Sequence, residues 1–105
     1  MTPIEEALFR NDTAHCVISF EHAGGVVALV LHPRDRPELA TLARFERVRI
    51  LSVDDSYVHG DGALPWDVIG FDSEPVARDR WRYCLHTDAV EYRFEAGWPD
   101  IERAG

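Results

Sequence analysis

Four carboxylates and one imidazole lie in and around a glycine-containing stretch in the middle of the chain. Asp54 and Asp55 precede it, His59 and Asp61 lie within it, and Asp67 follows it. These are the groups that a hard-metal site or a general acid–base pair uses. Their order does not match a calcium-binding loop, which needs carboxylates at its first, third and fifth positions followed by glycine. An ordinary solvated loop has the same residue types, and that interpretation is favoured.

Histidine and cysteine supply softer metal ligands, and the sequence contains five histidines and two cysteines. Their spacing lacks the H-x₃-H and C-x₂-C pairs that are typical of zinc sites. Cys16 and Cys84 are distant from one another, and the acidic N-terminal segment is unlike a secretory signal, so we expect both thiols to be reduced. We therefore assign no metal ligands.

The balance of charge argues against several classes of partner. The chain has 19 acidic and 11 basic residues, which gives a formal net charge of −8. Nucleic acids and anionic membranes bind proteins that neutralise their phosphates, so we predict neither as a partner. No apolar run approaches the length of a membrane-spanning helix. A basic protein surface is compatible with this charge.

Length and residue usage indicate the type of chain. With 105 residues, it has the common size of a single domain, and we assign residues 1–105 to one globular domain. All 11 basic residues are arginine. This bias suggests a GC-rich bacterial coding sequence, and we expect a cytoplasmic protein.

The strongest structural pattern is in residues 80–96, where apolar and polar side chains alternate in two runs. A period of two is typical of strands, because successive side chains leave opposite faces. We predict a hairpin with a four-residue loop. The paired apolar residues are then Trp81 and Phe94, Tyr83 and Tyr92, and Leu85 and Val90. Burial of six such side chains would contribute on the order of 10–15 kcal/mol before opposing terms, so the chain must cover them.

The polar face of this hairpin is the candidate interaction patch. It carries Arg80, Arg82, Arg93, Glu91 and Glu95. The predicted register places Arg82 opposite Arg93, and like charges in that position are unfavourable unless carboxylates or an outside anion intervene. Glu95 pairs with Arg80 in the same register. The competing interpretation is a solvated face of mixed charge, and the residue types favour it.

A cysteine nucleophile needs a neighbouring base and an electropositive environment. The predicted register places Cys84 opposite Glu91, whose charge would raise the pKa of the thiol. The sequence also lacks the G-x-S-x-G, P-loop and G-x-G-x-x-G motifs. We therefore assign no catalytic residue and expect no cofactor.

Other segments must cover the apolar face of the hairpin. Pro3 and Glu5 begin a predicted helix over residues 3–10, and a second predicted helix spans residues 37–44. Gly24 and Gly25 form a two-residue turn signal. The further predicted strands are residues 15–22, 25–32, 46–53 and 66–72.

The segment VVALVLH, residues 26–32, has no polar face. A strand that is apolar on both sides is normally covered on both sides, so we predict that it is the central strand. The Gly24–Gly25 turn then places Phe20 opposite Leu29 and Ile18 opposite Leu31.

These elements predict an α+β fold, predominantly antiparallel sheet, with five or six strands, two hairpins and two short helices. The alternative is a β-sandwich or partly open barrel in which the hairpins pack face to face.

Size, charge and the absence of catalytic motifs favour a small acidic, non-catalytic binding or regulatory protein that acts through protein–protein contact. One alternative is a small-ligand or metal-dependent enzyme centred on the loop from Asp54 to Asp67. Another is a homo-oligomeric structural protein that hides an exposed sheet edge.

Overall fold

Antiparallel strands make up most of the computed structural model, which describes residues 3–10, 14–55 and 63–103. Within these ranges the chain forms one α-helix, one 3₁₀ turn (Pro37–Leu39) and eight strands. The elements are α1 (Pro3–Leu8), β1 (His15–Ala23), β2 (Val26–Pro33), β3 (Thr41–Phe45), β4 (Arg49–Asp54), β5 (Trp66–Ala77), β6 (Arg80–Thr87), β7 (Glu91–Ala96) and β8 (Asp100–Arg103). The strand order is β4-β7-β6-β5-β1-β2-β3-β8, and all pairs are antiparallel.

The sheet bends back on itself. One half consists of β1, β2, β3 and β8, the other half consists of β4, β5, β6 and β7, and the inner faces of the two halves pack together. Phe45 on β3 meets three rings of the opposite half, with centroids 6.2 Å away at Phe71, 4.8 Å at Tyr83 and 5.2 Å at Phe94. All four side chains are fully buried. Because β4 and β8 lie at the two ends of the strand order, the sheet is not a closed barrel.

Helix α1 covers one side of this core. Ile4 and Leu8, one helical turn apart, are both fully buried, and the backbone N–H of Ile4 donates to Ser73 Oγ at 3.1 Å. The helix ends two residues earlier than the predicted residue 10. A helix this short depends on tertiary contacts.

The hairpin of β6 and β7 confirms the predicted alternation and the four-residue loop, but not the register. Tyr83 pairs with Phe94, and His86 pairs with Glu91. The loop is residues 87–90, because Thr87 Oγ1 accepts hydrogen bonds from the backbone N–H groups of Ala89 and Val90 at 3.1 and 2.9 Å. Every pairing therefore differs from the prediction by two residues, which leaves each side chain on its predicted face.

The hairpin of β1 and β2 turns at Gly24 and Gly25, as predicted, and both residues have positive φ. Phe20 pairs with Leu29, also as predicted. The predicted pairing of Ile18 with Leu31 is wrong. A bulge lies between Val17 and Ser19, so Val17 is the residue that pairs with Leu31. An extra residue in one strand shifts all pairings beyond it.

Strand β2 lies inside the sheet, between β1 and β3. Its inner residues Val27, Leu29 and Leu31 are fully buried. Its outer residues are only half-buried, so the prediction that both faces are covered is wrong for the outer face.

The predicted second helix, residues 37–44, is also wrong. Only Pro37–Leu39 is helical, as a 3₁₀ turn, and β3 follows. Thr41, Ala43 and Phe45 all point inward, so the segment alternates like a strand. Its backbone pairs with β2 on one side and β8 on the other, and these ladders outweigh weak local helix preference.

Two strands differ from the prediction by three or more residues at one end, and one further strand was not predicted. The strand predicted at residues 46–53 begins later, at Arg49, because Arg47 has a positive φ of 56°. Strand β5 continues past residue 72 to Ala77. Strand β8 was not predicted, and it pairs with β3 through Ile101 and Ala43.

We expect Phe45→Ala to lower the free energy of unfolding by about 3–5 kcal/mol, because it leaves a cavity where the two halves meet. Urea denaturation followed by circular dichroism would measure this. Ile69→Ala is the matched control, since Ile69 is 63% exposed, and it should change stability by less than about 0.5 kcal/mol. Equal effects of the two substitutions would contradict this packing arrangement.

Candidate functional site

The outer face of β5, β6, β7 and β4 carries the predicted interaction patch. Cross-strand partners place Glu74, Arg82, Glu95 and Arg49 in one row across the four strands. The charges alternate along this row, so each side chain faces an opposite charge on the next strand. The predicted opposition of Arg82 and Arg93 is therefore wrong, since Arg82 faces Glu95.

Glu95 is the centre of the patch. Its carboxylate contacts Arg82 at 3.2 Å and Arg80 at 3.7 Å, and its side chain is only 15% exposed. Arg80 also donates through Nη1 to the backbone carbonyl of Arg47 at 2.8 Å. These contacts tie the β6–β7 hairpin to the chain segment before β4.

The remaining pair of the patch joins Arg93 to Glu91 on the same strand, at 2.8 Å. All five predicted residues thus share one face, and each makes an ion pair with another of the five. A face whose charges are internally satisfied is a poor site for an outside anion.

Cys84 lies on this face, opposite Arg93 rather than the predicted Glu91. Burial raises the pKa of its thiol, Glu91 raises it further, and Arg93 opposes the shift. A groove of about 260 Å³ runs beside it, lined by Asp72, Ser73, Glu74, Arg82, Tyr83, Cys84 and Arg93. A thiol held in the neutral form is a weak nucleophile.

Two described members of the predicted loop site, Asp54 and Asp67, lie on different strands. His59 and Asp61 lie outside the described residues. Asp54 ends β4, whereas Asp67 is on β5, and two strands separate them, roughly 14 Å along the sheet. Asp67 instead contacts Arg34 at 3.4 Å.

A cross-strand row of Cys16, His32 and Asp67 was not identified from the sequence, because it depends on the pairing of β1 with β5. Cys16 Sγ lies 3.8 Å from both ring nitrogens of His32, and His32 Nδ1 donates to the carbonyl of Pro33 at 2.6 Å. Burial and Asp67 raise the pKa of Cys16, against an opposing effect of Arg34. The arrangement therefore stabilises a neutral, buried thiol.

Metal-ligating side chains do not form a metal site in the part of the chain that the structure describes, and this includes the row of Cys16, His32 and Asp67. No group of three or more histidine, cysteine, aspartate or glutamate residues there is placed to hold a metal ion.

The outer side of β1, β2 and β3 is different in character. We call it the outer apolar face, and its members are Ile18, Val26, Ala28, Val30 and Leu42. Ile18 is 41% exposed and Leu42 is 36% exposed. The signal in the sequence is the fully apolar run of β2, whose outer side chains are only half-buried.

Carboxylates border the outer apolar face. Glu21 pairs with Ala28 on one side, and Glu102 pairs with Leu42 on the other. Asp100 pairs with Arg44, and Arg44 in turn contacts Glu46 at 3.6 Å. The border is therefore more acidic than basic.

Comparison with protein-family models, curated proteins and solved structures finds no match for this chain. Among the described residues, the structure has no helix that is long and apolar enough to cross a membrane.

We expect alkylation by iodoacetamide to distinguish the two thiols. The half-buried Cys84 should react slowly at pH 7 and about tenfold faster for each pH unit up to its raised pKa. Cys16, which is 8% exposed, should react only in denaturant. Mass spectrometry would count the adducts, and Cys84→Ser isolates the behaviour of Cys16. Rapid native alkylation at pH 7 would instead indicate an activated cysteine.

Proposed function

We propose that this is a non-catalytic binding protein that acts through protein–protein contact, and that it binds a basic partner through the outer apolar face. The observation that carries the proposal is the apolar outer side of β2, which lies within the sheet but is only half-buried. The proposal accounts for side chains that the fold of one chain leaves in contact with water.

The first argument is the usual pattern of antiparallel sheets. A strand with one face on the core and one face in water normally alternates between apolar and polar residues. Strand β2 has Val26, Ala28 and Val30 on its outer side, with Leu42 beside them on β3. An exposed apolar centre with a polar border is the usual anatomy of a protein–protein interface.

The second argument is charge. Glu21 and Glu102 border the face, and Arg44 beside Ala28 is paired with Asp100. The whole chain carries a formal charge of −8. Complementary charge steers association and disfavours partners of the same sign. A basic protein surface fits this border, whereas the phosphates of nucleic acid would be repelled.

The third argument is the contrast with the opposite half of the sheet. There the outer face carries rows of paired charges around Glu95, with Arg80 and Arg82 already held. Removing those side chains from water would cost desolvation free energy without a compensating apolar gain. The outer apolar face is therefore the better interface.

The test is affinity capture from an extract of the source cells, with the immobilised protein in three forms. Wild type should retain a basic protein. Leu42→Ser should weaken its binding at least about tenfold, because exposed apolar area of the face is lost. Ile69→Ser removes a more exposed apolar residue from the other half of the sheet, so it should leave binding unchanged. Quantitative mass spectrometry would compare the three eluates.

Added salt should also reduce capture, because the border contributes through charge. Retention of nucleic acid alone, or of no protein, would overturn the proposal. Equal loss with Leu42→Ser and Ile69→Ser would place the contact elsewhere.

A further inference from the structure

We propose that the edge of β4 that faces away from β7 pairs with β4 of a second copy of this chain, giving a two-fold symmetric dimer. Among the described strands, β4 pairs with β7 alone and ends the sheet. Its other edge therefore presents backbone N–H and C=O groups that no described strand occupies. Such an edge is a template for another strand.

The two ends of the sheet differ in how well they resist pairing. Strand β8 has four residues, of which Asp100, Glu102 and Arg103 are charged. Short, charged strands are a common protection of sheet edges. Strand β4 has six residues, and it exposes Leu51 at 40% and Val53 at 49%. The β4 edge is thus the longer and more apolar of the two.

A bulge determines which side chains of β4 share a face. Arg49 pairs with Glu95 and Asp54 pairs with Glu91, so both point to the outer face of the sheet. In a regular strand, residues five positions apart point to opposite faces. The register shift at Leu51 adds one residue and brings Arg49 and Asp54 to the same face.

The same bulge aligns the inner face. Ile50 pairs with Phe94, and Val53 pairs with Tyr92. The next residues across the sheet on β6, Tyr83 beside Phe94 and Leu85 beside Tyr92, are buried in the core. Ile50 and Val53 therefore both point inward, although they are three positions apart. The strand has a charge of opposite sign near each end and apolar residues between them.

This pattern is complementary to itself in one antiparallel register. When the two-fold axis passes between Leu51 and Ser52, Arg49 faces Asp54 of the second copy. Ile50 then faces Val53 of the second copy. Symmetry repeats each contact, so the interface contains two ion pairs and two apolar pairs. A shift by one residue would place inward side chains opposite outward ones.

The expected dimer is weak. Pairing of two six-residue strands buries less than the roughly 1,200 Å² of a standard interface, so a dissociation constant in the micromolar range is expected. Strand β4 is at the far end of the strand order from β2 and β3. Dimer formation by this edge therefore leaves the outer apolar face available.

Sedimentation velocity over a concentration series, from roughly 1 μM to 500 μM, tests the proposal. Wild type should convert from monomer to dimer as concentration rises. Arg49→Glu and Asp54→Arg should each remain monomeric, because each places like charges across the axis. An equimolar mixture of R49E and D54R should form dimers again, since the introduced carboxylate then faces the introduced guanidinium.

The doubly substituted chain, R49E with D54R, should also dimerise, because both ion pairs are reversed. Arg78→Glu makes the same charge change at an exposed position in the turn between β5 and β6 and should behave like wild type. Circular dichroism of each variant checks that it is folded. Recovery of dimer in the mixture excludes misfolding as the cause of the single-variant result.

A wild-type monomer at all concentrations would overturn the proposal. A dimer that survives both single substitutions would also overturn it, because its interface would lie elsewhere. The result is independent of the proposed function, since the proposed partner contact uses Leu42 on β3, at the far end of the strand order from β4.

Discussion

Packing of Phe45 against Phe71, Tyr83 and Phe94 is the contact on which the rest of the structure depends. Phe45 is on β3, whereas the other three rings are on β5, β6 and β7. The contact therefore holds the two halves of one continuous sheet face to face. It fixes which side of every strand is buried, and hence which side is presented to partners. The charged outer face and the outer apolar face both result from this packing of the two halves.

Local alternation was sufficient to predict part of this arrangement. Residues 80–96 alternate so regularly that both strands, their faces and the loop length followed from the sequence. The Gly24–Gly25 turn and the pairing of Phe20 with Leu29 were predicted because a two-residue turn fixes the adjoining register. The second helix was mispredicted because residues 39–43 fit both periods, and only long-range pairing with β2 and β8 decides between them.

Bulges and loop capping limited the prediction of the candidate sites. The β6–β7 register depends on Thr87, whose hydroxyl closes the loop one residue later than expected. That shift replaces an opposition of like charges, Arg82 with Arg93, by a favourable one, Arg82 with Glu95. The bulges beside Ile18 and Leu51 change which face each strand presents, and no local pattern indicates them. The structure therefore places the five residues of the predicted patch on one face, whereas the predicted opposition of Arg82 and Arg93 is wrong.

Charge also determines which of the exposed surfaces can meet a second copy of the chain. Two outer apolar faces placed together would bring Glu21, Asp100 and Glu102 of both copies close to one another, and like charges resist this contact. The β4 edge has Arg49 near one end and Asp54 at the other, so antiparallel pairing brings opposite charges together. The acidic border therefore disfavours self-association of the face that we assign to a basic partner. The two proposals thus use separate surfaces. Repulsion of like charges keeps two outer apolar faces apart, and attraction of opposite charges favours pairing at the β4 edge.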